Sequence, residues 1–389
     1  MSLVELIKSP GANILEKTVQ QLIGFAGEGQ LLDGNSASKE FREYLASVPS
    51  SYLDTYANQC LSTKFDGNGF ALQDIINEIG ERLGFDALPG RYRGTVNAIG
   101  FDGLWVSPEG QSLVIEVKTT DAYSINLDTV AKYRQTLIQE GKIQEKSSSI
   151  LIVVGRQDTG NVEAQVRGSH HAWDVRLISV NSLIRLLNVK EKVEDPDIEK
   201  LIRTILVPRE YTRVDGIIEL VFNTISDVAE DESQSETDDE IEEKTKRFTP
   251  VNFTQLCVDR IVAQLATPLV RRSRAVFSNA DNSIALLCAV SRTHDWNDTP
   301  GFWFAFHGHQ RNTLAKSANS YVSFGCGSPD KLILIPFQTF VQWTEGMNQT
   351  NDDTGRHYCH VKIVQEGTKY FIQRKKGFER IEITQFLMK

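Results

Sequence analysis

The chain has 389 residues, of which 40% are hydrophobic and 24% charged, and its formal net charge is −9. That length supports two or three domains with their own cores, and the composition is that of an ordinary globular protein. No run of about 18 apolar residues occurs, so no transmembrane helix and no membrane partner are expected.

The five cysteines (60, 257, 288, 326 and 359) are scattered and odd in number, as expected of reduced thiols. The opening Met1-Ser2-Leu3-Val4-Glu5 lacks the basic-then-apolar run of a signal peptide, and the expected compartment is cytoplasmic. Ten acids fall in 227–243, which holds no Lys or Arg. The segment 248–389 carries 16 Lys or Arg against 11 Asp or Glu, and 1–226 carries 23 against 30. The negative total therefore does not exclude a nucleic-acid partner.

Residues 1–65 alternate helical patterns (3–8, 13–25, 38–47, 51–62) with breaks at Ser9-Pro10-Gly11, Gly27-Glu28-Gly29 and Pro49-Ser50. They read as a helical N-terminal extension with no pattern that points to chemistry. Leu72, Ile75, Ile76, Ile79 and Leu83 then recur at helical spacing and predict an amphipathic helix ending at Gly84. Two apolar runs, 99–106 and 112–117, flank Ser107-Pro108-Glu109-Gly110 and predict a β-hairpin. A helix near 128–140 follows, then a fully buried strand at 149–155, a helix at about 161–171, a strand at 174–180 and a short helix at 182–187. Strands separated by helices need crossovers and parallel pairing, here beside an antiparallel hairpin. The fold class is therefore α/β, with a three-layer core built on a mixed sheet.

Residues 190–226 read as trailing helices that complete a domain spanning 66–226. The segment 227–247 is too acidic and too poor in apolar residues to fold alone, and reads as a linker. After Pro250 a helix at 252–266 precedes short β-rich runs at 283–291, 301–307, 320–325, 331–340, 358–364, 369–374 and 378–383. Gly, Asn, Asp and Pro separate them. They predict a separate β-rich (α+β) domain over 248–389, of barrel or strongly curved-sheet type.

The hairpin carries the chemistry. Each of its strands holds an acid among apolar residues: Asp102 between Phe101 and Gly103-Leu104-Trp105, and Glu116 between Ile115 and Val117. Lys118 follows Glu116 at i+2 and shares its face of the strand. Acids embedded in apolar strands are costly unless they have a task. Asp102, Glu116 and the Val117 carbonyl make an oxygen set for Mg²⁺ or Mn²⁺, with Lys118 beside it to orient or deprotonate a water and to offset phosphate charge.

The order of elements in 70–187, with Gly100-Phe101-Asp102-Gly103-Leu104-Trp105 and then Val114-Ile115-Glu116-Val117-Lys118-Thr119-Thr120 on successive strands, resembles the PD-(D/E)XK nuclease superfamily. Within it, the preceding helix and the two later strands resemble the Mrr-type restriction branch. The resemblance implies a restriction endonuclease-like fold, a metal-dependent endodeoxyribonuclease and Asp102, Glu116 and Lys118 as its catalytic residues. The first helix of that branch offers a Glu to the site, and Gln73 stands there instead, with Glu78 as an alternative acid on the same helix. The Pro that precedes the Asp in that family is replaced by Phe101. A restriction or anti-phage role is the leading expectation. A repair or recombination nuclease acting on branched or broken DNA, and a non-catalytic nucleic-acid-binding protein of the same fold, are the alternatives.

Partners are expected to be DNA and a second copy of the chain, as a homodimer or higher homo-oligomer, with room for an activating protein or nucleotide ligand. Gln165 and Arg167, on the helix after the buried strand, are candidates to reach the site or a DNA backbone. Arg271, Arg272 and Arg274 are candidate phosphate contacts. Trp303, Phe306, His307 and Tyr358 lie where aromatic and basic residues interleave, and are candidates for recognition of target DNA, a modified base or a nucleotide signal.

Overall fold

The computed structural model describes residues 2–7, 13–93, 100–119, 125–155, 160–193, 195–207, 250–296, 299–351 and 357–389. The chain divides into two compact units, Met1–Ser226 and Asp227–Lys389. The expected acidic linker at 227–247, the trailing helices beyond residue 207, Ile99 and Thr120 lie outside the described residues.

The first unit opens with helices α1 (Leu3–Ile7), α2 (Val19–Phe25), α3 (Ser36–Ser47), α4 (Ser50–Ser62) and α5 (Asn68–Arg82). Thr18 and Gln21 close a capping box on α2, and the Asn35 side chain caps α3 by accepting from the Ser38 N–H. Strands β1 (Asp86–Pro89), β2 (Gly103–Val106) and β3 (Ser112–Lys118) run antiparallel. After α6 (Leu127–Gln139), strand β4 (Ser148–Val154) pairs parallel to β3. After α7 (Gly160–Arg167), strand β5 (Val175–Ser179) pairs parallel to β4. Helices α8 (Val180–Lys190) and α9 (Pro196–Ile205) follow.

The sheet order is β1-β2-β3-β4-β5, with β3 at its centre. Alternation along the strands sends Ile115, Leu151 and Val153 to one core, shared with α2–α5, α8 and α9. It sends Val114, Ile150, Ile152 and Val154 to a second core under α6 and α7. Helices therefore cover both faces, and the unit is mixed α/β in three layers. Two details differ from the sequence expectation. Strand β1 adds a fifth strand beside the hairpin. The helix expected to reach 171 ends at Arg167, just before Gly168, and leaves Trp173 82% exposed.

Two glycines set how closely α5 lies on the hairpin. A Cβ on Gly80 would stand 2.4 Å from the Trp105 ring, and one on Gly103 would stand 2.1 Å from Asn77 Oδ1. Both distances are impossible for real side chains, so each glycine is needed for the close approach.

The second unit starts with α10 (Pro250–Leu265) and holds two sheets. One contains β6 (Val270–Arg271), β7 (Val276–Ser278), β8 (Ile284–Ser291), β11 (Asn319–Cys326) and β12 (Leu332–Pro336), with β8 and β11 parallel and the other pairs antiparallel. The other contains β9 (His294–Asp295), β10 (Pro300–His307), β13 (Asn348–Asn351), β14 (His357–Glu366), β15 (Lys369–Gln373) and β16 (Ile381–Glu382), all antiparallel. Helices α11 (Gly308–Leu314) and α12 (Phe337–Trp343) connect strands.

Phe302, Phe304 and Phe306 of β10 and Val361 and Ile363 of β14 share a core with Val322 and Phe324 of β11 and Ile333 and Ile335 of β12. The unit is therefore a sandwich of two sheets rather than the expected barrel or strongly curved sheet, because the inner faces of both are apolar. Phe253, Cys257, Val258 and Ile261 of α10 cover the outer face of the first sheet.

Candidate active site

Gly103 pairs with Ile115, so continuing the antiparallel register by one residue places Asp102 opposite Glu116. Residues opposite each other on neighbouring strands present their side chains on one face about 5 Å apart. The Asp102 backbone N–H donates to the Ile115 carbonyl at 3.0 Å, and the Val117 N–H donates to Asp102 Oδ2 at 2.6 Å.

The Asp102 carbonyl accepts three hydrogen bonds: from Gln73 Nε2 at 2.9 Å, from Asn77 Nδ2 at 2.9 Å and from the Gly90 N–H at 3.0 Å. Asn77 Oδ1 accepts in turn from the buried Trp105 indole N–H at 2.9 Å. The backbone at Asp102 is thus held from two sides, by the β1 end and by α5.

Glu116 is 7% exposed. Its Oε1 accepts from Lys118 Nζ at 2.5 Å, while its Oε2 is buried with no hydrogen-bond partner among the described residues. A buried carboxylate oxygen without a donor costs about 1–3 kcal/mol or more, so its retention needs an explanation. Burial and the nearby Glu116 charge push the Asp102 carboxyl up to about 7, against the Val117 N–H and the Lys118 charge. Burial alone would lower the Lys118 ammonium, but the charge and hydrogen bond of Glu116 and the charge of Asp102 outweigh it and raise it. Tyr133 on α6 faces the same group, since burial and the charge of Glu116 raise its phenol.

Two acids crowded together with one orphaned oxygen, next to the Val117 backbone, form a donor set that fits a hard divalent cation. Asp102, Glu116 and the Val117 carbonyl are the groups that would hold it. At the same end of β3, on the α4–α5 side of the sheet and thus on the face opposite Glu116 and Lys118, opens a cavity of about 460 Å³ lined by Leu61, Lys64, Phe65, Asn68 and Thr119. Part of its wall is α4, from a segment to which the sequence assigned no chemistry.

The structure brings Asp102, Glu116, Val117 and Lys118 together and redirects several other candidates. Gln73, expected as an oxygen ligand, turns its amide nitrogen to the Asp102 carbonyl and serves as a positioning group. Glu78 accepts from the Arg82 guanidinium at 2.7 Å, on the far side of α5 from the site. Gln165 spends both ends of its amide on the Ile125 backbone, at 3.0 and 2.6 Å. It therefore anchors the entry to α6 rather than reaching the site. Arg167 is exposed and lies 3.7 Å from Glu163.

In the second unit, Arg271 donates to the Arg274 carbonyl at 2.7 Å and covers the Phe277 ring, while Arg272 donates to Ser278 Oγ at 2.7 Å. Both guanidinium groups brace the β6–β7 hairpin. Arg274 is half-buried and supplies that carbonyl. Phe306 is buried against Phe340 and belongs to the core, because β10 alternates and turns its even-numbered aromatics inward. Trp303, His307 and Tyr358 share the outer face of their sheet.

The sequence reading missed Asn77. The signal was present: Gln73 and Asn77 are two polar residues at i, i+4 on the apolar face of α5. Among the described residues, Asp128, His170 and His171 form a further group with metal-competent atoms within 4.8 Å of one another. No helix of the described residues is long and apolar enough to cross a membrane. The chain matches no protein-family model and no curated protein.

Proposed function

We propose that the first unit is a metal-dependent endonuclease of the PD-(D/E)XK, restriction endonuclease-like kind, hydrolysing phosphodiester bonds in DNA. The observation that carries this reading is the buried Glu116 Oε2, without a hydrogen-bond partner among the described residues, standing with Asp102 and Lys118 at one end of β3. A structural acid would have been given a donor; a metal ligand is left without one. Bound there, Mg²⁺ or Mn²⁺ supplies Lewis-acid polarisation of the phosphate and a more acidic water.

The chain's own residues supply the remainder. The Asp102 and Glu116 carboxylates present oxygens, and the Val117 N–H fixes one Asp102 oxygen so that the other faces the site. Gln73, Asn77 and Gly90 hold the Asp102 backbone against displacement. The Lys118 ammonium, paired with Glu116 and partly exposed, meets the charge of the phosphate. A cutting unit coupled to a second, sandwich-type unit suits restriction or anti-phage defence, and cleavage of duplex DNA on both strands suits a homodimer.

The test is cleavage of supercoiled plasmid in Mg²⁺ or Mn²⁺ by wild type and by Asp102→Ala, Glu116→Ala and Lys118→Ala. Each variant is expected to lose at least about 100-fold in rate, and chelation is expected to stop the wild type. Mg²⁺ at tenfold its Kd is expected to stabilise the wild type by about 1.4 kcal/mol and to leave Glu116→Ala unmoved. Equal cleavage by wild type and Asp102→Ala would refute the assignment.

A further inference from the structure

We infer that the second unit carries a nucleotide-binding site at the end of β10 and β14, where α11 begins. It lies in the other unit and does not rest on the nuclease reading. A cavity of about 440 Å³ opens there, within the roughly 300–1,000 Å³ range of small-ligand sites. Its floor is apolar and buried, formed by Phe306 and Cys359. Its walls are polar and, among the described residues, carry no carboxylate; they include Arg311, Asn312, Gln349 and His307. Among the described residues Arg311 has no ion-pair partner, and its charge reaches the Cys359 thiol on the floor. A guanidinium over a cavity is a receptor for an anion with paired oxygens, such as a phosphate.

The aromatic side of the cavity identifies what the phosphate is attached to. His307 belongs to a ladder of rings on the outer sheet face: His309 stacks on it with centroids 5.2 Å apart, and the series continues through His307–Tyr358 at 5.3 Å, Tyr358–His360 at 5.0 Å and His360–Trp303 at 5.8 Å. The ladder is locked. Trp303 Nε1 donates to His360 Nδ1 at 3.1 Å, which leaves His360 Nε2 to donate to Thr350 Oγ1 at 2.6 Å. Rings so fixed offer a stacking surface with little entropy left to lose. A flat heterocycle against the His307–His309 end of the ladder, its polar edge met by the Asn312 and Gln349 amides and its phosphate by Arg311, is a nucleotide. Free mononucleotide and the terminal nucleotide of a DNA strand share that chemistry.

The experiment is isothermal titration of the full-length protein in chelator with deoxynucleoside monophosphates, deoxynucleosides, inorganic phosphate and a short single-stranded oligonucleotide. Binding of monophosphates is expected, weakened about tenfold by Arg311→Ala with the nucleosides unaffected. His307→Ala is expected to weaken both nucleoside and nucleotide, and His307→Phe to restore them. Asp102→Ala should bind as wild type does, which separates this site from the nuclease. Binding of the oligonucleotide alone supports the same site and makes a strand end its occupant. Should Arg311→Ala fail to fold, Arg311→Lys, which keeps the charge but not the two-pronged contact, is expected to weaken binding less steeply. The proposal is overturned if neither monophosphate nor oligonucleotide binds at millimolar concentration. It is equally overturned if inorganic phosphate binds as tightly as the nucleotides, or if binding ignores both Arg311 and His307 substitutions.

Discussion

Replacing Asn77 by Leu removes two hydrogen bonds at once and keeps the branching and number of side-chain heavy atoms. Asn77 is 5% exposed and Trp105 fully buried. The Asn77→Leu change therefore leaves the Trp105 indole N–H with no acceptor in a dry environment, at a cost of about 1–3 kcal/mol. The second loss is milder, because the Asp102 carbonyl keeps Gln73 and the Gly90 N–H, and it amounts to about 1 kcal/mol. Together the expected destabilisation of the first unit is roughly 2–4 kcal/mol. Native-state hydrogen exchange read on 68–82 reports the opening of α5 and thus the first unit alone. A cycle with Trp105→Phe isolates the indole contribution: once the N–H is gone, Asn77→Leu should cost about 1 kcal/mol or more less than in wild type. A loss below about 0.5 kcal/mol, or strict additivity in the cycle, would refute the claim that Asn77 ties Trp105 to the Asp102 backbone.

Three further outcomes concern the same unit. Gly80→Ala adds a methyl 2.4 Å from the Trp105 ring, so overpacking of about 1–3 kcal/mol outweighs the gain of about 1 kcal/mol in helix propensity. Gly24→Ala on α2 meets nothing within 4 Å and should gain about 0.5–1 kcal/mol by the same exchange measurement. Asp74 is buried beneath Arg42 and Tyr92, which hydrogen-bond it at 2.8 and 2.5 Å. Burial holds its carboxyl up to about 6 against a usual 3.8, although the Arg42 charge opposes the rise. The folded state then takes up a proton as pH falls, while the unfolded chain stays ionised until nearer pH 4. Wild type should therefore gain about 1 kcal/mol relative to Asp74→Asn between pH 7 and pH 5. Urea titrations at the two pH values check the sign, and an unchanged difference would show that Asp74 is ionised throughout.

The amino-acid order alone determined what depends on local period and on spacing. The helical recurrence of Leu72, Ile75, Ile76 and Ile79, the continuous apolar run at 149–154 and the turn at 107–110 are consequences of side-chain periodicity, and each lies in the element it implied. The two acids and the lysine were legible because they interrupt those patterns. Only the tertiary structure decided which polar residues serve the site, since that depends on which way an amide turns and which carbonyl it meets. Gln73 and Asn77 present the same chemistry to a sequence reader as Gln165, yet the first two hold the Asp102 backbone while the last clamps Ile125. Tertiary contacts likewise turned Arg271 and Arg272 back onto their own hairpin and sent Phe306 inward while leaving Trp303 and His307 outside. The physical reason is common to all of them. Periodicity assigns a face to each side chain, but the partner on that face comes from a distant part of the chain, and hydrogen-bond satisfaction in a buried setting permits very few pairings.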